Sequence, residues 1–415
     1  MTPERVLRTY LTLCLVATGA SSMIWGVNTL FLLNAGLSVG QAFAANAFFT
    51  AGMVLFEVPT GVVADTIGRR TSYLLGTVCL IGTTLLYLLL WRVHAPFVLW
   101  ALVSMLLGLG FTFFSGATDA WLVDGLRATG YEGSLDAAFA KGQVANGVAM
   151  MAGSIGGGVL AQVTNLGVPY AVRALLLVAT FVVAWRSMHD LGFTPKARVS
   201  VRAEMGSIVR ASVQNGLVNR RVRWVMLAGP FTAGVSVYGF YAAQPYLLEL
   251  YGRTDSYAIA GLSAGIVAGA QIAGGLSAAR LSRVFRDRIV LLIGAVVVSG
   301  AAIALLGLVT SFWAALVLLI VWGSVFAGMT PVRQAYLNSY IPSEQRATVL
   351  SFDNLLASGG GVVAQPALGR AADVWGYGTA YLFTAGVQLL AVPFLAIAHR
   401  TSEPKSARAA AGACG

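Results

Sequence analysis

Apolar residues fall into twelve long stretches, at roughly 9–33, 41–64, 72–91, 97–123, 138–163, 168–188, 224–249, 256–279, 289–309, 312–341, 347–369 and 376–398, separated by short polar connections. An α-helix needs about 20 apolar residues to cross the hydrocarbon core of a bilayer, and these stretches meet that length without the polar stripe of a soluble helix. The pattern predicts an all-α membrane protein with twelve transmembrane helices. One connection breaks the rhythm. Residues 189–222 form a long polar segment, which divides the chain into a first six-helix half (1–188), a central loop (189–222), a second six-helix half (223–400) and a tail (401–415). The first stretch follows a short leader bearing Arg5 and Arg8 and has no small-residue cleavage site before the next stretch, so it reads as a retained helix rather than a signal peptide.

Composition narrows the class. Of 415 residues, 57% are hydrophobic and 10% charged, against about a quarter charged in a soluble protein. That excludes a disordered chain, a disulfide-stapled secreted domain and an ordinary soluble enzyme. The 48 glycines suit close helix–helix contact in lipid. Cys14, Cys79 and Cys414 are scattered, and His94, His189 and His399 sit at predicted span ends, so neither a metal site nor a catalytic cluster is read. No P-loop occurs, which leaves ATP-driven pumping and a membrane enzyme unsupported. The short tail offers no signalling domain, which disfavours a receptor.

The net charge of +11 raises the question of nucleic acid, and the location of the cations answers it. All 27 Lys and Arg fall on one side of the predicted membrane except Arg92, Arg173, Arg253 and Arg370 on the other and Arg333 inside a span. The positive-inside rule then makes that side, with both termini, cytoplasmic, in a multi-pass protein of the plasma or inner membrane. The basic residues line a membrane face, and the partners read from this are the bilayer and a small solute, with no nucleic acid and with a monomer as the working unit.

The two halves resemble one another. Trp25-Gly26 matches Tyr238-Gly239, Gly61 matches Gly275, Gly116-Ala-Thr118 matches Gly328-Met-Thr330, and Asn146 and Gly153 match Asn354 and Gly361, in order and at nearly constant offset. Such parallel repeats place a substrate site at their interface near the bilayer midplane.

The loop between spans 2 and 3 reads Gly61-Val-Val-Ala-Asp65-Thr-Ile-Gly68-Arg69-Arg70. Glycines there allow close packing and a tight turn, and Asp65 is an anion at a helix end that can pair with Arg69 or sit at another helix's amino terminus. This loop resembles the signature loop of the major facilitator superfamily, with Thr66 where the family often carries a cation, and the chain resembles the twelve-span drug/metabolite:proton antiporter branch. The resemblance implies a fold of two pseudo-symmetric six-helix halves and a latch of Gly61, Asp65, Gly68, Arg69 and Arg70 that holds the halves together on the cytoplasmic side, with Asp124 as a partner for Arg69. The matching loop after Gly275 lacks the aspartate, so any latch in the second half is weaker.

Ionisable residues inside spans are costly and mark function by default. Four stand out: Glu57, Asp119, Arg333 and Asp353. Glu57 precedes Pro59, which removes a helix hydrogen bond and predicts a kink. Glu57 reads as a proton-coupling carboxyl or a structural one, and Asp119 as a site of protonation or of cationic substrate. Arg333 must pair, with Asp353 or with Glu57, as a structural ion pair or as an anchor for an anionic substrate. No arginine lies between Arg92 and Arg127, where many family antiporters carry one, and span 5 has Gly153 and Gly156-Gly157-Gly158 but not the antiporters' proline. By position in the family, the cavity would be lined by Trp25, Asn28 and Phe31, by Asn146, by Tyr238, Tyr241 and Gln244, and by Trp322, Phe326 and Gln334, an aromatic and amide wall suited to a mostly apolar solute. The function expected is secondary active transport by alternating access, with no cofactor and the proton gradient as energy source: efflux of a small amphipathic or drug-like molecule, or alternatively uptake of a nutrient or metabolite by proton symport or facilitated diffusion.

Overall fold

The computed structural model describes residues 1–415 except 115–116, 196–205, 207–209, 211–212, 286, 342–345 and 403–415. Much of the polar connection at 189–222 and nearly all of the tail, together with Gly116 and Arg286, lie outside the described residues.

Twelve helical spans follow one another. They are α1 (Pro3–Ser22, resumed as Asn28–Asn34), α2 (Val39–Ile67), α3 (Arg69–Arg92), α4 (Phe97–Thr112, resumed as Ala117–Ala128), α5 (Leu135–Val163), α6 (Gly167–Ser187), α7 (Arg220–Tyr251), α8 (Tyr257–Val284), α9 (Arg288–Leu306), α10 (Phe312–Tyr340), α11 (346–375) and α12 (377–389, resumed as Ala391–Ser402). The last two run on without an intervening loop: the chain turns at Gly376, whose φ of 80° and ψ of 165° are open to glycine and costly for other residues. Ten helices are long and apolar enough to cross a membrane by length and composition. The tenth is α11 with α12, 53 residues in one stretch, and α1 escapes that count because it is broken. Twelve crossings result, as the apolar pattern predicts.

The spans start where short polar side chains cap them. Thr2 caps α1 with Pro3 beside it, Ser38 and Gln41 form a capping box on α2, and Asp287 accepts from two backbone amides at the start of α9. Pro59 does not divide α2, which is continuous from Val39 to Ile67. Beside it the Thr60 hydroxyl donates to the carbonyls of Phe56 and Glu57 at 2.8 and 3.2 Å, taking up backbone acceptors in the turn that the proline disturbs.

Packing repeats between the halves. In the first, α1 packs on α5 and α6, α2 on α4, and α3 on α4 and α6; in the second, α7 packs on α11 and α12, α8 on α10, and α9 on α10 and α12. Between the halves, α2 meets α11 and α5 meets α8. The repeated glycines occupy the same contacts. A Cβ on Gly153 would meet the Gly19 carbonyl of α1 at 3.0 Å, and one on Gly361 the Gly234 carbonyl of α7 at 3.1 Å. Without water between helices to supply a hydrophobic drive, such close backbone contact is what holds spans together. Large apolar side chains such as Leu85, Leu102, Leu175, Val298 and Val363 are exposed, which suits a lipid-facing surface.

Candidate functional site

The end of the bundle that carries Arg69, Arg70, Arg127, Arg186 and Arg220 is here termed the basic face. The signature loop lies on it. Gly68 joins α2 to α3 with φ 128° and ψ 152°, so a glycine is required there. Arg69 pairs with Asp65 four residues back, and its guanidinium lies 5.8 Å from the centre of the Phe193 ring. Arg69 does not meet Asp124, whose backbone instead lies against Gly192. The Arg70 amide donates to Asp190 at 2.9 Å, and its side chain donates to the Trp185 carbonyl at 2.7 Å. Among the described residues, the loop is fastened to the end of α6 and the start of the central connection. Among the described residues nothing lies within 4 Å of a Cβ added at Gly61, so the close packing expected of it is not seen among them. Asp190 escaped sequence reading because its role, capping the amide end of α3, depends on a residue 120 positions away.

Arg333 and Asp353 form a two-pronged pair at 2.5 and 2.6 Å, and Arg333 also donates to the Val225 carbonyl of α7 at 3.3 Å. Asp353 is 2% exposed. Of the two pairings open to Arg333, the structure takes Asp353 and leaves Glu57, half-buried on α2, out of it.

A cavity of about 340 Å³ lies inside the first half, among α1, α3, α4, α5 and α6. It runs from Trp25, at the break in α1, to Tyr10, two turns from the basic-face end of that helix. Asp119 lies on its wall and accepts a hydrogen bond from the Tyr10 hydroxyl at 3.3 Å; Thr18 donates to Asn146 at 2.8 Å. A second hollow of about 440 Å³ among α8, α9 and α10 has no ionisable group on its wall among the described residues.

Of the cavity residues expected from sequence, Trp25 and Asn146 line this space and Asp119 joins them. The others are elsewhere. Asn28 accepts from the Tyr170 hydroxyl at 2.9 Å and donates to Asn46. Phe31 is buried in an aromatic cluster, 3.9 Å from the Tyr170 ring centre. Tyr238 is buried between Phe43 and Tyr381, Trp322 stacks on Phe326 and is packed under Gly239, and Gln334 is exposed on α10. The three on α7 share a reason: the face that carries Tyr238, Tyr241 and Gln244 is covered by α1 and α2 of the other half.

That cover is a built contact. α1 is broken over residues 23–27, which frees backbone groups that lipid cannot satisfy. Gln244 of α7 satisfies both sides of the break: it accepts from the Thr29 amide at 2.9 Å and donates to the Trp25 carbonyl. The Thr29 hydroxyl donates to the Tyr241 carbonyl at 2.9 Å. Beside the break, Gly26 of α1, Gly158 of α5 and Gly261 of α8 meet backbone to backbone. Nearer the opposite face, Asp373 of α11 accepts from Ser38 and from the amides of Val39 and Gly40, at 3.0, 2.8 and 2.9 Å, and so caps α2 from the other half. The halves are shut together at the face opposite the basic one, and the cavity lies on the basic side of that closure.

The sequence matches the family model described as Major Facilitator Superfamily over residues 10–364 and again over 254–413. The chain belongs to the major facilitator superfamily. It is thus a secondary transporter rather than an enzyme, and its solute is a small molecule. Similar folds occur in the nucleoside transporter NupG (12% identity, TM-score 0.78, covering 94% of this chain and 98% of that one) and in a POT family transporter in complex with 5-aminolevulinic acid (14%, 0.74, 96% and 96%). The POT family transporter PepTSo is also similar (12%, 0.72, 97% and 98%). At these identities the likeness is one of fold, and it does not single out an antiporter branch. No curated protein matches by sequence.

Proposed function

We propose that this superfamily member is a proton-coupled exporter of a small amphipathic molecule bearing a basic group, with Asp119 as the group at which proton and solute exchange. One observation carries the reading: among the described residues, Asp119 is the sole carboxylate on the cavity wall, and it has the Tyr10 hydroxyl for a partner and no cation. A carboxylate so placed holds either a proton or a cationic group of the solute. Competition between the two couples outward solute movement to inward proton movement. The charge asymmetry supports a cytoplasmic basic face, and in that orientation this conformation loads from the cytoplasmic side. Trp25, Phe111 and Phe114 supply the apolar wall and Asn146 a polar contact.

The test is flux in proteoliposomes under an imposed pH gradient, with a panel of arylalkyl amines. Gradient-driven flux of at least one amine is expected, and Asp119→Asn is expected to lower it by about tenfold or more, the size of effect that removing one charge-assisted contact produces. Flux of every amine that ignores both the gradient and the substitution overturns the proposal.

A further inference from the structure

Arg173 lies on α6, one turn toward the opposite face from Leu177, which lines the cavity. Its side chain is wholly buried, 2% exposed, and among the described residues it makes no ion pair and no hydrogen bond; Nε and Nη2 are both buried without a partner. Its neighbours are neutral rings. The guanidinium is 5.9 Å from the centre of the Phe111 ring and lies within electrostatic range of Tyr87, Tyr170 and, from the second half, Tyr241. The hydroxyls of Tyr87 and Tyr170 are engaged with Ser104 and Asn28.

The position continues the cavity. Tyr73, Leu80 and Tyr87 follow one another at seven-residue steps along one face of α3, and the first two line the cavity while the third lies within electrostatic range of Arg173. Phe111 lines the cavity, and the Arg173 guanidinium lies against the same ring. A buried guanidinium without an anion is costly, and a place in a transporter where that cost is relieved only when cargo arrives is a recognition site.

We propose that Arg173 is the anchor for an oxyanion group on the transported solute, a carboxylate or a phosphonate-like group. Taken with the reading of Asp119 above, on which this part rests, the solute is zwitterionic. Its basic end lies at Asp119 and its anionic end at Arg173, beyond Phe111.

The test is thermal unfolding and ligand titration of the purified full chain in detergent, with three probes of one skeleton: 4-(4-aminobutyl)benzoate, the matching arylphosphonate and the uncharged 4-(4-aminobutyl)benzamide. Wild type is expected to bind at least one oxyanion probe roughly tenfold or more tightly than the amide, as one charge-assisted pair supplies, and which probe wins identifies the oxyanion. Arg173→Met is expected to unfold at a higher temperature than wild type without ligand, because an uncompensated charge is gone, and to lose the discrimination. Arg173→Lys is expected to keep it in weakened form. Asp119→Asn is expected to leave the oxyanion preference intact, so failure of the Asp119 reading and failure of this one are separable. Equal binding of acid and amide by wild type, or an Arg173→Met variant that melts lower than wild type or still discriminates, overturns the proposal.

Discussion

Asp353→Ala is expected to destabilise the second half by about 3–5 kcal/mol, the usual cost of removing one partner from a buried ion pair. The pair joins α10 to α11, and through the Val225 carbonyl it reaches α7 as well. Deleting the carboxylate leaves the Arg333 guanidinium among the apolar side chains around Val225, Val332 and Val349 without its anion. The pair itself adds little beyond relieving the burial of its own charges, so Arg333→Met combined with Asp353→Leu should recover most of the loss. Thermal unfolding in detergent, with the yield of monodisperse protein, measures both. A single variant as stable as wild type, or a double variant worse than the single, refutes the account. Arg173→Met should move the other way, which makes the two buried arginines a matched contrast: one has its anion built in and the other does not.

Gly261→Leu is expected to abolish transport while leaving a folded protein. A Cβ at Gly261 would sit 2.6 Å from the Gly158 Cα and 2.7 Å from the Ser154 carbonyl oxygen. Both are backbone atoms of the facing helix, and neither can turn aside as a side chain would. The packing within each half does not use this contact; closure at the face opposite the basic one does. The substitution should therefore hold that face open and separate Gln244 from the break in α1. The measurement is labelling of a Thr29→Cys reporter by a membrane-impermeant maleimide, with Cys14, Cys79 and Cys414 replaced by serine. Thr29 is fully buried in the closed arrangement, so the reporter should react slowly alone and at least tenfold faster with Gly261→Leu, the ratio that about 1.4 kcal/mol of lost closure produces. Unchanged labelling together with normal transport would sink the gate assignment.

The sequence is informative about whatever is local. Twelve apolar stretches of bilayer length give twelve spans because each helix satisfies its own backbone. Gly68-Arg69-Arg70 gives a tight interhelical turn because only glycine takes its φ cheaply. Arg333 could be assigned a buried carboxylate partner, since an arginine in a span must find one and few carboxylates exist. The break in α1 is not legible in the sequence, because no proline or polar cluster marks it. The aromatic inventory misled for a different reason. Tyr238, Tyr241 and Gln244 have the composition of a cavity wall and the helical spacing of one, but a wall exists only where the facing surface is absent. Here α1 and α2 occupy that surface.

The sequence by itself determined the class, the number of crossings, the division into two like halves and the candidate in-span charges, all of which follow from hydropathy, charge and spacing along a chain whose helices form largely independently in lipid. Only the tertiary structure decided which charges are spent and which are available. Gln244 meets Thr29 across 215 positions and Asp373 meets Ser38 across 335. Partnerships at such separations depend on how two rigid halves are set against one another. The same folding satisfies Arg333 and leaves Arg173 buried beside the cavity without an anion, and no property of either residue's sequence neighbours distinguishes them.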